Sequence, residues 1–211
     1  MATAYDALVE DPRLPELWPE YLVQQHMIIR ATVPLTRAAL TRSRELSDRE
    51  PLGPPLAAYL EEHIDEEVGH DETLLDDLEL LGLDRANVLG RMPSPTVAAL
   101  VGSQYYWILH YHPVAFLGFV ALMEGFPPTP ELIETLVART GSPREAFRTY
   151  VEHGDLDPGH RDHLDRTIDS LPLTPEHESA LGVSAIASAA LVARALEELV
   201  ADQRRGEAGS A

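Results

Sequence analysis

Apolar residues recur at steps of three and four along nearly the whole chain, and runs that alternate apolar with polar residues are missing. That period is typical of amphipathic α-helices, so the pattern predicts an all-α protein, a bundle of about six to seven helices. Proline-rich stretches separate several of them, and a bend is expected at His112-Pro113 because proline removes a backbone donor. The predicted helices cover roughly 15–46, 56–83, 96–125, 130–140, a segment beginning at 142, and 175–203.

The length of 211 residues predicts a single domain over 1–211, with a frayed tail from about residue 205. The most apolar window, 107–126, is interrupted by His110, His112, Pro113 and Glu124, which favours a buried core helix over a membrane span. The first residues lack the basic and apolar regions of a secretory signal. We therefore expect a cytoplasmic protein that does not associate with membranes.

Composition excludes several kinds of chemistry. The formal net charge of −19 argues against nucleic acid as a partner, since phosphates are bound mainly by basic groups. All sixteen basic residues are arginine, so a lysine Schiff base and the phosphate-loop lysine are both excluded. The chain has no cysteine, which removes disulfides, thiolate nucleophiles and iron–sulfur clusters. Any metal must be bound through nitrogen and oxygen.

The segment His153-Gly-Asp-Leu-Asp157-Pro-Gly-His160 has the spacing of a metal site. On a helix, steps of four and three residues bring the side chains of His153, Asp157 and His160 to within about 5–6 Å of one another. A surface loop rich in Asp, Gly and His is the simpler interpretation, and Pro158 favours it by weakening a helix. Metal coordination would offset that poor helix propensity.

Two upstream segments supply more ligand-type residues. Glu67 and His70 repeat the three-residue step from carboxylate to imidazole and fall on the apolar stripe of their helix. His63 lies beside that stripe, as a reserve ligand or a partner of one. Glu124 ends a long apolar run, where an unpaired carboxylate would need either a cation or the surface.

Together these segments offer three histidines and three carboxylates, a set suited to a pair of first-row transition metals. A ferritin-like bundle is one architecture with such a site, built from two Glu-x-x-His pairs and two further glutamates. Glu67–His70 and Asp157–His160 superficially fit that scheme. However, it leaves His153 unexplained and requires a core-facing glutamate from the first helix.

The pattern resembles the heme-oxygenase-like di-iron oxidases and oxygenases, whose motif is a glutamate and a histidine on one helix, a lone glutamate, and then His-x3-Asp-x2-His. The Glu-x-x-His form is similar to that of the terminal-alkene-forming fatty acid decarboxylase. The resemblance implies a seven-helix-like bundle and two irons per chain, with the carboxylates also serving as catalytic residues. The residues that match the motif are Glu67, His70, Glu124, His153, Asp157 and His160.

The resemblance also implies a function. Members activate dioxygen and carry out N-oxygenation, desaturation or C–C cleavage on amino acids and fatty acids, in specialised biosynthesis. A reductase or a small reductant would restore the ferrous state. We expect the substrate to be a small metabolite that bears a carboxylate, with Arg30 as its partner and Tyr106 and Phe116 in an apolar pocket. The apolar last helix could also form a homodimer.

Other functions on related folds remain open at this point. His26, on the first helix, is placed where true heme oxygenases hold heme, although heme would not explain the other ligand-type residues. A cofactor-free oxidase would use the histidines as acid–base groups. A ferritin-like storage or regulatory bundle without enzymatic activity is the broadest alternative.

Overall fold

The computed structural model describes residues 2–208, with side chains for 3–201, and this part of the chain is helical without a strand. The all-α prediction is confirmed, but the helical segments outnumber the six or seven expected. They are α1 (Ala2–Glu10), α2 (Leu14–Leu46), α3 (Gly53–Glu67), α4 (His70–Leu80), α5 (Arg85–Gly90), α6 (Pro95–Tyr106), α7 (Phe116–Glu124), α8 (Pro130–Thr140), α9 (Arg148–Ser170) and α10 (Pro175–Ala208).

Two extra segments come from α1 and α5, which the periodicity does not predict as helices. A third arises because the helix predicted over 56–83 is broken. Gly69 has a φ of 99°, a left-handed conformation that suits glycine, and it stands as the N-cap of α4. Glu67 therefore ends α3 and His70 begins α4, so the two residues lie in different helices.

A fourth extra segment arises because the helix predicted over 96–125 is broken into α6 and α7, at the place where proline was expected to bend it. After α6 the backbone forms a π-helical turn, Trp107–Tyr111, and His112 is extended before a 3-10 turn, Pro113–Ala115. The side chain of His112 accepts a hydrogen bond from the Val114 backbone N–H and so caps that turn. This break lets α7 take a new direction and place Glu124 at its buried end.

The remaining helices keep close to their predicted positions. α8 runs from Pro130 to Thr140, and α9 is a continuous helix through Pro158, preceded by a 3-10 turn over Arg144–Phe147. In α10, the stretch Pro175–Ala201 is long and apolar enough to span a membrane by length and composition alone. The predicted frayed tail has no described side chains, and its last three residues lie outside the described part of the chain.

The core is formed mainly where α2 packs on α3 and α4 and where α10 packs on α6 and α7. Gly118 of α7 allows the closest approach, because a Cβ there would lie 2.2 Å from the carbonyl oxygen of Leu181 in α10. This contact sets the position of α7 in the bundle, and with it the position of Glu124.

Candidate metal centre and cavity

Three ligand-type side chains meet between α3 and α7. His63 and Glu67 lie one turn apart on α3, and Glu124 reaches them from the end of α7. One donor atom from each falls within a group whose members are no more than 4.8 Å apart, and all three residues are buried. His63 Nδ1 lies 3.5 Å from Glu124 Oε1.

A second group forms on α9, where the predicted helix face is present. His153 Nδ1 lies 2.9 Å from Asp157 Oδ1, and His160 Nδ1 lies 3.9 Å from the same oxygen. The ring of His70 packs edge-on against that of His153, with 4.8 Å between the centroids. The first residue of α4 thus joins the ligand-type residues of α9.

Glu67 connects the two groups. Its Oε2 lies 3.4 Å from His70 Nδ1, although the break at Gly69 separates the two residues into different helices. The structure therefore brings all six predicted ligand-type residues to one place, together with His63. His63 was expected as a reserve ligand or an outer partner, and its Nδ1 faces Glu66 at 3.6 Å as well as Glu124.

Many polar atoms at this place are buried without a hydrogen-bond partner, which is costly unless something else binds them. The donors are nitrogen and oxygen only, the set that suits iron or another first-row metal. Among the described residues, the unpartnered atoms here are both ring nitrogens of His63, Nδ1 of His70, both oxygens of Glu124, Nε2 of His153 and Nδ1 of His160. This observation fits a metal centre in which most of these atoms are ligands and the nitrogens of His63 lie beside them.

The electrostatics agree with such a role. Burial, together with the charge of nearby Glu67, raises the pKa of Glu124 to about 8, although His63 opposes the shift. The pKa of Glu67 is lowered, because His70 and the other imidazoles outweigh the effect of its burial. The pKa of His70 is raised, chiefly by Glu67. Metal ions would replace the protons that now balance these charges.

A cavity of about 400 Å³ opens from this centre. His63, Glu67, Glu124, His153 and Asp157 line one part of it, and most of the remaining wall is apolar. This volume lies within the range of small-molecule sites. Phe126 and Asp6 are exposed residues of the wall and mark its opening to solvent.

The residues predicted to contact the substrate are not part of this wall. The guanidinium of Arg30 faces the Leu89 carbonyl oxygen at 3.5 Å, and Tyr106 is exposed on the surface. Phe116 is fully buried and stacks on Phe119, which does line the cavity. Substrate contacts by these three residues therefore stay predictions without support from their positions.

The cavity wall holds a group of tyrosines that the sequence analysis did not single out. Tyr150 donates a hydrogen bond of 3.1 Å to the hydroxyl of Tyr21, and the hydroxyl of Tyr5 lies 3.4 Å from that of Tyr150. Trp18 packs against both Tyr21 and Tyr150. Tyr150 precedes His153 by three residues, and this spacing on a helix would have been the available signal.

His26, the candidate heme ligand, is buried but does not line the cavity. A different cluster joins Glu50, His112 and His177, with His112 Nε2 3.3 Å from a Glu50 oxygen. Each imidazole Nδ1 accepts a backbone N–H, which assigns the ring proton to Nε2, facing Glu50. The hydrogen bonds of this cluster therefore hold separate segments of the chain together.

The fold defines the class to which the chain belongs. A domain of unknown function with a heme oxygenase-like fold, from Shewanella denitrificans OS217, matches with a TM-score of 0.82 at 17% identity, covering 98% of this chain and 87% of that one. A TenA homolog from Pseudomonas syringae pv. tomato DC3000 gives 0.71 at 14% identity, with 94% and 88% covered. The fold is thus heme oxygenase-like.

The family is narrower than the fold. The profile of a family described as iron-containing redox enzymes matches residues 20–196, so the chain belongs to that family. A CADD-like protein of unknown function from Nostoc punctiforme PCC 73102 is also similar, with a TM-score of 0.69 at 20% identity, covering 97% of this chain and 90% of that one. Among curated protein sequences no match was found.

Proposed function

We propose that this chain is a non-heme di-iron oxidase or oxygenase that uses dioxygen. Its substrate is a small metabolite that bears a carboxylate, either an amino acid or a fatty acid. The observation that carries the proposal is the set of buried, unpartnered nitrogen and oxygen atoms that converge on the wall of a mostly apolar cavity. Family membership supports the choice of iron among the first-row metals.

Six residues would hold the two irons, namely Glu67, His70, Glu124, His153, Asp157 and His160. Glu67 belongs to the α3–α7 group and also contacts His70, which packs against His153 of α9, so it could be a ligand of either iron. We assign His63 to hold Glu124 in place, because its Nδ1 faces the carboxylates of both Glu124 and Glu66.

Ferrous iron, when bound, supplies the electrons and the open coordination positions that activate dioxygen. The protein contributes a water-poor cavity and a fixed arrangement of charges. In the metal-free protein Glu124 holds a proton on its carboxyl group near neutral pH, because burial raises its pKa to about 8. Iron binding would release that proton and leave Glu124 as an anionic ligand.

The substrate carboxylate would bind at the metal end of the cavity. Among the described lining residues, His63 is the one that could carry positive charge once His153 binds iron. The apolar part of the substrate would extend along Ile28, Phe119 and Leu196. N-oxygenation, desaturation and C–C cleavage are all compatible with this arrangement. We expect the enzyme to act in the cytoplasm, with a reductase or small reductant restoring ferrous iron.

Anaerobic titration of metal-free protein with ferrous iron, followed by Mössbauer spectra, tests the proposal. We expect two irons per chain in the wild type and about one in His153→Ala, because the α9 group would lose a ligand. His110→Ala is the matched control, since His110 is exposed and lies outside the centre, and it should keep both irons. Exposure to dioxygen should oxidise the bound iron.

A wild-type protein that binds no iron, or one that binds a single iron whether or not His153 is present, would contradict the di-iron proposal. A spectrum typical of heme after addition of hemin, abolished by replacement of His26, would favour heme binding instead. Loss of iron from His63→Ala to the same extent as from His153→Ala would show that His63 is itself a ligand.

A further inference from the structure

The three cavity tyrosines form a hydrogen-bonded chain in which one hydroxyl proton is not used. Three phenol hydroxyls offer three donor protons, and the two bonds between them use two. Tyr150 donates to Tyr21, so its own proton is used and the remaining bond must be donated by Tyr5. The proton of the Tyr21 hydroxyl is then left without an acceptor in the described part of the protein.

All three phenols are neutral. Burial raises the pKa of Tyr5 to about 12, and it raises the pKa values of Tyr21 and Tyr150 as well. Tyr21 and Tyr150 are held in place by Trp18, whose ring centroid lies 5.3 Å from that of Tyr21 and 5.1 Å from that of Tyr150. The group is thus a rigid donor in the wall of an otherwise apolar cavity.

A second polar group lies on the same face of α2. Gln25 follows Tyr21 by four residues, lines the cavity, and makes no side-chain hydrogen bond to the described part of the protein. A side-chain amide with donors and an acceptor therefore lies about one helical turn from the unused proton of Tyr21.

The charges around the tyrosine group disfavour the binding of an anion. No arginine lines the described cavity, and the chain has no lysine. Asp6 lies in the wall beside Tyr5 and carries a negative charge. An anionic group here would lie near the Asp6 carboxylate without meeting a cation, which is unfavourable, whereas a neutral oxygen would only need one donor.

We propose that Tyr21, supported by Tyr150, Tyr5 and Gln25, binds an uncharged oxygen acceptor at the end of the substrate opposite its carboxylate. The substrate is then an elongated molecule with a carboxylate at one end, an apolar middle and a hydroxyl, carbonyl or amide oxygen at the other. The cavity of about 400 Å³ has room for about a dozen non-hydrogen atoms. This assignment rests on the proposed function, because that function places the substrate carboxylate at the metal centre.

Three acids of equal chain length test the assignment: octanoate, 8-hydroxyoctanoate and octanedioate. Calorimetric titration under nitrogen, in ferrous and in metal-free protein, gives their affinities. We expect 8-hydroxyoctanoate to bind more tightly than octanoate, and octanedioate more weakly than both. Tyr21→Phe should reduce the preference for the hydroxy acid by roughly 3- to 10-fold, as for loss of one neutral hydrogen bond. Tyr111→Phe, at an exposed position outside the cavity wall, is the control and should leave the preference unchanged.

The preference is a ratio within one protein, so a general loss of stability in the variant cancels from it. A preference unchanged by Tyr21→Phe, tightest binding of octanedioate, or no binding of any of the three acids would overturn the assignment. If the chain takes up no iron, the proposed function fails, whereas the effect of Tyr21 in metal-free protein still decides this assignment.

Discussion

Replacement of Gly118 by alanine tests how tightly α7, which carries Glu124, is seated in the bundle. The new Cβ would lie 2.2 Å from the carbonyl oxygen of Leu181 and 2.8 Å from the backbone nitrogen of Ala185. Both neighbours belong to the backbone of α10, so neither can move aside by rotating a side chain. The strain must be relieved by moving one helix relative to the other.

The size of the effect follows from the required movement. Ordinary carbon–oxygen contacts are about 3.3 Å or longer, so the helices must separate locally by about 1 Å. Overpacking of this kind costs about 1–3 kcal/mol, while replacing glycine in a helix regains up to about 1 kcal/mol. Because both clashes involve backbone, we expect Gly118→Ala to lower the free energy of unfolding by about 2 kcal/mol.

Urea unfolding measures this change, and Gly102→Ala provides the matched control. Gly102 is exposed within α6 and has no neighbour within 4 Å of its would-be Cβ, so alanine should stabilise the protein by up to about 1 kcal/mol. The same chemical change should thus have opposite signs at the two sites. A Gly118→Ala protein as stable as Gly102→Ala would refute the close approach of α7 and α10.

Two further predictions concern pH and are checked by urea unfolding across a pH series. Burial lowers the pKa of His112, although Glu50 opposes the shift. At pH values just below the ordinary histidine pKa of about 6.5, the unfolded chain therefore binds more protons than the folded protein. Stability should therefore fall as pH falls through that value, and His112→Asn, which can still cap the turn, should flatten the change. Burial raises the pKa of Asp77, although the hydrogen bond from the Thr149 N–H opposes this shift. The contribution of Asp77 to the free energy of unfolding should therefore fall as pH rises above the ordinary aspartate pKa of about 3.8. Asp77→Asn keeps an acceptor for that N–H and should remove this fall; an unchanged profile in either variant would contradict the corresponding assignment.

The sequence predicted the helices well where apolar periodicity was long and prolines marked the ends. α8 has the predicted bounds, and the bend at His112-Pro113 lies where proline was expected to cause it. The break at Gly69 was not predicted, because a glycine within a helical pattern is often tolerated. Its positive φ depends on how α3 and α4 pack, and a single sequence does not report that packing.

Substrate contacts were harder to predict than ligand-type residues, for a geometric reason. On α2 the cavity is lined by residues that share one side of the helix, an arc of about 120°: Tyr21, Leu22, Gln25, Ile28, Ile29 and Thr32. Arg30 lies two residues from both Ile28 and Thr32, which rotates it by about 200° to the opposite side of the helix. Both faces of α2 carry apolar residues, so the sequence alone did not indicate which one faces the cavity.

The proximity of the ligand-type residues could be predicted because such residues are rare at buried positions, even where the assumed local geometry was wrong. Glu67 and His70 were expected on one helix face, yet the left-handed Gly69 divides them and their side chains still meet at 3.4 Å. A short break with a fixed φ can therefore replace a helical turn in joining a carboxylate to an imidazole. The break also starts a new helix at His70, whose ring packs on His153, so Gly69 is what connects the α3 and α9 groups into one centre.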